Sequence, residues 1–196
     1  MNRKLLALLL GAACGLSACV SAPTQYLALT PRSAPAEEAP LASVQNKGLP
    51  LLVAHVQMPA DLDRLYLTYE QDKDHFRVAD HVRWIAPLGE MAQRVLAQDL
   101  AATLAHKTVL MPGDPSPSGP YLILRVVVQR FMPADSGQVQ LRADWFVQNA
   151  STQHILAQGR SDLQTTSGDH PSDQAAAMSR LLGDLAQTIA ARMPQP

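Results

Sequence analysis

The residue best placed for chemistry is Cys19. It closes the run Leu16-Ser17-Ala18-Cys19, at the end of an apolar segment that follows Asn2-Arg3-Lys4. Small residues at 17 and 18 let the chain lie extended in a narrow peptidase site. The Cys19 thiol is then a nucleophile that can take a diacylglyceryl group before cleavage. The pattern looks like a bacterial lipobox. Leu5 to Ala18 is 14 residues, short of the ~20 that a membrane-crossing helix needs, so the segment reads as a signal and not as a span. Cys14, preceded by Leu10-Gly11-Ala12-Ala13, is the competing cysteine and fits less well by length. Acylation of Cys19 leaves no free thiol, which removes thiol and redox catalysis.

Other residue types offer less. His55, His75, His81, His106, His154 and His170 include no helical i, i+4 pair and no His-Glu-x-x-His run, so no metal site is expected. His106 suits the C-terminal end of a helix without any ligand role. A Gly-x-Ser-x-Gly elbow is absent, as are the Gly-rich phosphate loops, which argues against serine hydrolysis and nucleotide binding. Asp61-Leu62-Asp63-Arg64 offers a carboxylate pair, but reads better as a solvated turn in which Arg64 pairs with an acid. Asn149-Ala150-Ser151 matches a glycosylation acceptor, a frequent chance match. Trp84 and Trp145 could line a lipid cavity; at a strand's core face, packing is the commoner use of Trp. No catalytic residue, cofactor or metal ligand is therefore named, and the one assigned site is lipidation at Cys19.

Composition agrees. Sixteen basic and 17 acidic side chains give a formal charge of −1. Without a basic excess there is nothing to displace phosphate counterions, so a nucleic-acid partner is not expected. Aromatic residues make up only 5% of the 196, too few for a single-strand stacking platform. Cleavage before Cys19 would remove Arg3 and Lys4 and take the charge from −1 to −3.

The elements follow from hydrophobic period. Residues 1–18 are the signal, and 19–50 the lipidated N-terminus with a Pro-rich tether; 51–196 make one α+β domain. The tether holds Pro23, Pro31, Pro35, Pro40 and Pro50, and is interrupted at Tyr26–Leu29 by an edge strand added to the main sheet. Strands are predicted at 51–57, 65–70, 75–78 and 108–111. The region 121–131 is apolar on both faces and reads as a central strand. A turn at Ala134–Gly137 leads to a strand with Val139, Leu141, Ala143, Trp145 and Val147 on one face, then a third at 154–164. Helices are predicted over 87–106 and 171–193 from apolar residues at three- and four-residue spacing. The expected fold is an α+β two-layer sandwich, a mainly antiparallel sheet with two packed helices.

Several segments together resemble the ABC-type transport auxiliary lipoproteins, the PqiC (YmbA-like) family. They are Cys19 with Tyr26–Leu29, then Val53–Arg64 with its Leu62-Asp63-Arg64 turn, then Val82-Arg83-Trp84-Ile85-Ala86-Pro87-Leu88. Phe131 with Val139–Trp145 and the final Ala/Leu helix complete the set. Two positions depart from that pattern: Leu65 stands where the family usually has Pro, and Ile85 separates Arg83-Trp84 from Ala86.

The resemblance implies a non-enzymatic component of an envelope lipid-transport system. Its implied partner is a mammalian-cell-entry (MCE) domain protein, which forms rings and tubes across the periplasm. Val20 rather than Asp after Cys19 is similar to the enterobacterial sorting pattern for the outer membrane. The acyl chains would bind the bilayer, about twenty tether residues would span on the order of 25 Å, and the globule would dock the tube. A ring-shaped partner favours a ring-shaped dock, so homo-oligomerisation is a looser expectation. The alternative is a monomeric lipid carrier or outer-membrane-protein chaperone with an apolar groove between helix and sheet. A periplasmic hydrolase ranks below both. No residue is singled out as touching the partner or a lipid.

Overall fold

A computed structural model of the chain describes residues 22–32 and 48–194. Cys19 and the expected signal at 1–18 lie outside these, as does most of the Pro-rich stretch. Three long strands carry the fold: β6 (Leu122–Pro133), β7 (Gln138–Asn149) and β8 (Ile155–Thr166), in an antiparallel meander. Side chains alternate across a strand. Val139, Leu141, Ala143, Trp145 and Val147 accordingly all face the core and are fully buried. The first turn needs Gly137, whose φ of 79° is left-handed, and closes where the Ala134 N–H donates to the Gln138 carbonyl at 2.7 Å. The second is an Asx turn: Asn149 Oδ1 accepts from the backbone N–H of Ser151 at 2.9 Å and Thr152 at 3.0 Å. The glycosylation-like triplet is thus explained by local geometry.

β2 (Leu51–Val53) lies parallel to β6 on one side and to β5 (Val109–Leu110) on the other, giving the order β5-β2-β6-β7-β8. β6 therefore has a neighbour on each side, as its two apolar faces predict. The strand expected over 51–57 is shorter, with pairing resumed as a single bridge from Gln57 to Val127.

The remaining strands form a second sheet. It runs β1 (Gln25–Leu27), β4 (Phe76–Trp84), β3 (Tyr66–Glu70), with β1 parallel and β3 antiparallel to β4. The expected edge strand at Tyr26–Leu29 exists over 25–27, but it joins this sheet and not the larger one. The strand expected at 75–78 runs on to Trp84. The two sheets meet at Glu70, which pairs with Arg130 of β6 and whose carbonyl accepts the Asp135 N–H at 2.9 Å.

Helices α1 (Leu88–Thr103) and α2 (Pro171–Ala190) pack together over the inner faces. Leu96 and Leu100 of α1 and Leu181, Leu185 and Ile189 of α2 join Leu67, Trp84 and Trp145 in one core. The result is the α+β sandwich expected. Both tryptophans are packing residues. Trp145 lies so close over β8 that a Cβ at Gly159 would stand 2.5 Å from its ring.

The described N-terminal residues belong to the globule, which moves the start of the folded unit from 51 to about Gln25. Leu27 and Leu29 are buried. The Thr30 N–H donates to Ser179 Oγ on α2 at 3.1 Å, and the Arg32 N–H to Asp99 Oδ1 on α1 at 2.8 Å. The Arg32 guanidinium pairs with Asp184 of α2. The segment expected to be free tether is clamped across both helices before the chain enters 33–47.

Candidate functional site: the outer face of the small sheet

β1, β4 and β3 place Tyr26, Arg83 and Tyr66 side by side, since Arg83 is the register partner of both tyrosines. Directly opposed residues share a face. Leu27, Trp84 and Leu67, one residue along, point into the core. Further along the same outer face, Val78 is opposite Thr68 and Phe76 opposite Glu70. Ile85 follows Trp84, its N–H held by the Leu27 carbonyl at 3.0 Å. Exposure of these large apolar side chains runs from 40% at Tyr66 to 66% at Tyr26. The Arg83 guanidinium sits 3.7 Å over the Tyr66 ring, a cation–π contact.

A bulge shapes the middle of this face. The pairing jumps from Tyr66–Arg83 to Thr68–Val78, so residues 79–82 of β4 oppose Leu67 alone. Ala79 and Val82 stay buried, while His81 turns outward with a φ of 55°. On the inner side, the Tyr69 hydroxyl bonds Gln174 of α2 and Arg77 stacks 4.3 Å over the Tyr69 ring. Burial raises the Tyr69 pKa, and the Arg77 charge opposes that.

The outer face of the five-stranded sheet is different. Arg142 pairs with Asp162 at 2.8 Å and Arg160 with Asp144 at 2.7 Å, and Gln129 and Gln140 donate to Asp144 and Asp162. The hydrogen bond from Arg160 holds the Asp144 carboxyl below the usual carboxylate range. Gln140 and then Arg142 do the same for Asp162.

The residues flagged from sequence are not brought together. All six histidines are exposed and dispersed, and among the described residues no group of three His, Cys, Asp or Glu could hold a metal. The Asp61–Arg64 turn is structural. Asp63 Oδ1 accepts the Gly89 N–H at 2.9 Å and so caps α1, whose own N-cap residue is Pro87. Among the described residues Arg64 pairs with no acid, contrary to expectation; its Nε donates to the Ala60 carbonyl at 3.2 Å, because the turn folds it back on its own backbone. Beneath the small sheet the core is filled. A void lined by Leu62, Trp84, Phe131 and Met178 has about 10 Å³, no more than a water needs and far below the ~300 Å³ of a small-molecule pocket. No helix among the described residues is long and apolar enough to cross a membrane.

Sequence reasoning missed both the small-sheet face and the Asp63 cap. The cap was legible in principle, as an acid ahead of a helix that starts on Pro87 without a side-chain cap of its own.

No curated protein matches the chain. Among the solved structures that share its fold are two crystal structures. An uncharacterized protein has a TM-score of 0.70 at 17% identity, covering 87% of this chain and 98% of that one. A Xanthomonas campestris protein of the DUF330 family has a TM-score of 0.67 at 17% identity, covering 85% and 93%. The family model described as the ABC-type transport auxiliary lipoprotein component matches residues 29–190, from the clamped N-terminal segment to the end of α2. The chain belongs to that family.

Proposed function

We propose that this protein is a lipid-anchored, non-catalytic component of an ABC-type transport system. It is held by Cys19 on the periplasmic side of the outer membrane, where it docks an MCE-domain protein and supports envelope integrity. The observation that carries this reading is the family match over residues 29–190. The lipobox ending at Cys19 supports the anchor, and Val20 supports the outer membrane as its destination. The acyl chains fix position, since more than one chain is needed for stable anchoring. The globule supplies a rigid dock. The carrier alternative asks for an apolar groove between helix and sheet, and that space is packed with side chains.

Affinity capture of the acylated protein from gently solubilised envelopes, read by mass spectrometry, tests the reading. Recovery of an MCE-domain protein is expected. Recovery of free lipid alone, or of an outer-membrane assembly protein, would overturn the docking role.

A further inference from the structure

We infer that the outer face of the three-stranded sheet lies against the lipid surface in which the protein is anchored, an inference that rests on the Cys19 anchor of the reading above. The first argument is length. Tyr26 is seven residues after Cys19. Over that count a fully extended chain covers at most about 25 Å. The Pro-rich residues 33–47 add nothing to this reach, because Leu29, Thr30 and Arg32 are already fixed to the globule. The anchor is therefore a short leash attached to the edge strand of the small sheet, and that edge has to stay near the headgroups.

The second argument is chemistry. Tyr26 and Tyr66 present amphipathic rings, and Phe76, Val78 and Ile85 present apolar surface. Among the described residues no carboxylate pairs with Arg83. Tyrosine rings suit the headgroup level, with a guanidinium free for phosphate. The β3–β4 turn sets Lys73 between Asp72 and Asp74, so the contact is apolar and not driven by net charge. An apolar face could also meet a second copy or a protein partner; the short leash favours the lipid surface.

The test uses acylated protein purified from envelopes and placed in vesicles of phosphatidylethanolamine with a minority of phosphatidylglycerol. With Cys19 acylated and Cys14 removed, an added cysteine is the only free thiol. Val78→Cys, Ile85→Cys and, as a control on the outer face of β8, Gln164→Cys each carry an environment-sensitive fluorophore. The expected result is a blue shift and protection from aqueous quencher at 78 and 85, unchanged by salt, with neither at 164. Water-like emission at 78 and 85 in protein that floats with the vesicles overturns the inference and leaves the anchor standing. Energy transfer between copies labelled at 78 at low surface density assigns the face to self-association and also overturns it. Protein that fails to float, with an unacylated N-terminal peptide by mass spectrometry, removes the anchor and this inference together.

Discussion

Arg142 on β7 looks across at Asp162, and Arg160 at Asp144, so the outer face of the large sheet is a lattice of charge pairs. Tyr26, Tyr66, Phe76 and Val78 occupy the equivalent face of the small sheet with one stacked arginine among them. The inner faces do not differ in this way, since Leu141 and Leu67 are both buried in the same core. Paired charges on exposed strands add little stability; their use is to keep a face solvated and unattractive to other strands. The small-sheet face has one such pair, Glu70 with Arg130 at its far end, and is otherwise apolar and aromatic around Arg83.

The largest expected effect tests whether the sheets share one core. Leu141→Ala and Leu67→Ala should each destabilise by about 2–5 kcal/mol in denaturant unfolding, through lost burial and the cavity left behind. Phe76→Ser, outward on the small sheet, should stay within about 0.5 kcal/mol. A near-neutral Leu67→Ala would mean that the small sheet is only loosely attached. The joint between the sheets comes next. Asp63 lies in the link from β2 to β3 and caps α1, so Asp63→Ala should cost about 1 kcal/mol. Asp63→Asn, which still offers an acceptor, should recover most of it; equal losses in both would refute the cap. The smallest effect concerns the charge lattice. Asp144 and Asp162 titrate below their ordinary value near ~3.9. Their contribution is therefore present above that value and fades as pH falls through it. Asp144→Asn should lose a small part of the stability at neutral pH, because the pair is exposed, and converge with the parent as the pH falls below the carboxylate range, which flattens the acid limb. A mutant whose acid limb matches the parent would show that the lattice does not couple to folding.

The meander and both helices were legible because their signals are local. Val139 to Val147 alternate with polar residues except at Phe146, and Leu181, Leu182, Leu185 and Ile189 repeat at helical spacing. The full length of β4 is not legible because its alternation breaks at residues 79–82, where the bulge buries Ala79 and Val82 and turns His81 out. The split into two sheets was not legible. It depends on which distant strands pair, Leu51 with Leu122 or Gln25 with Val82, and nothing near those residues encodes the partner. The clamp at residues 29–32 was hidden for the same reason, since its acceptors are Ser179 and Asp99. An aromatic in a short strand such as Tyr26 or Phe76 does not reveal its face until the register is known. The surface was therefore harder to read than the core.

The clamp also changes what the Pro-rich stretch is. With Arg32 fixed at one end and Leu51 paired with Leu122 at the other, residues 33–47 leave and re-enter the same body. Between two fixed ends, doubling the length of a flexible chain costs only about 0.6 kcal/mol. Insertions there fall between two fixed points of the globule and would leave the reach from Cys19 to Gln25, and with it the distance to the proposed anchor, unchanged. A single residue inserted between Cys19 and Gln25 would lengthen that distance directly. With Cys19 as the proposed anchor, the two stretches carry opposite tolerances: length between Cys19 and Gln25 sets the reach, and length within 33–47 does not.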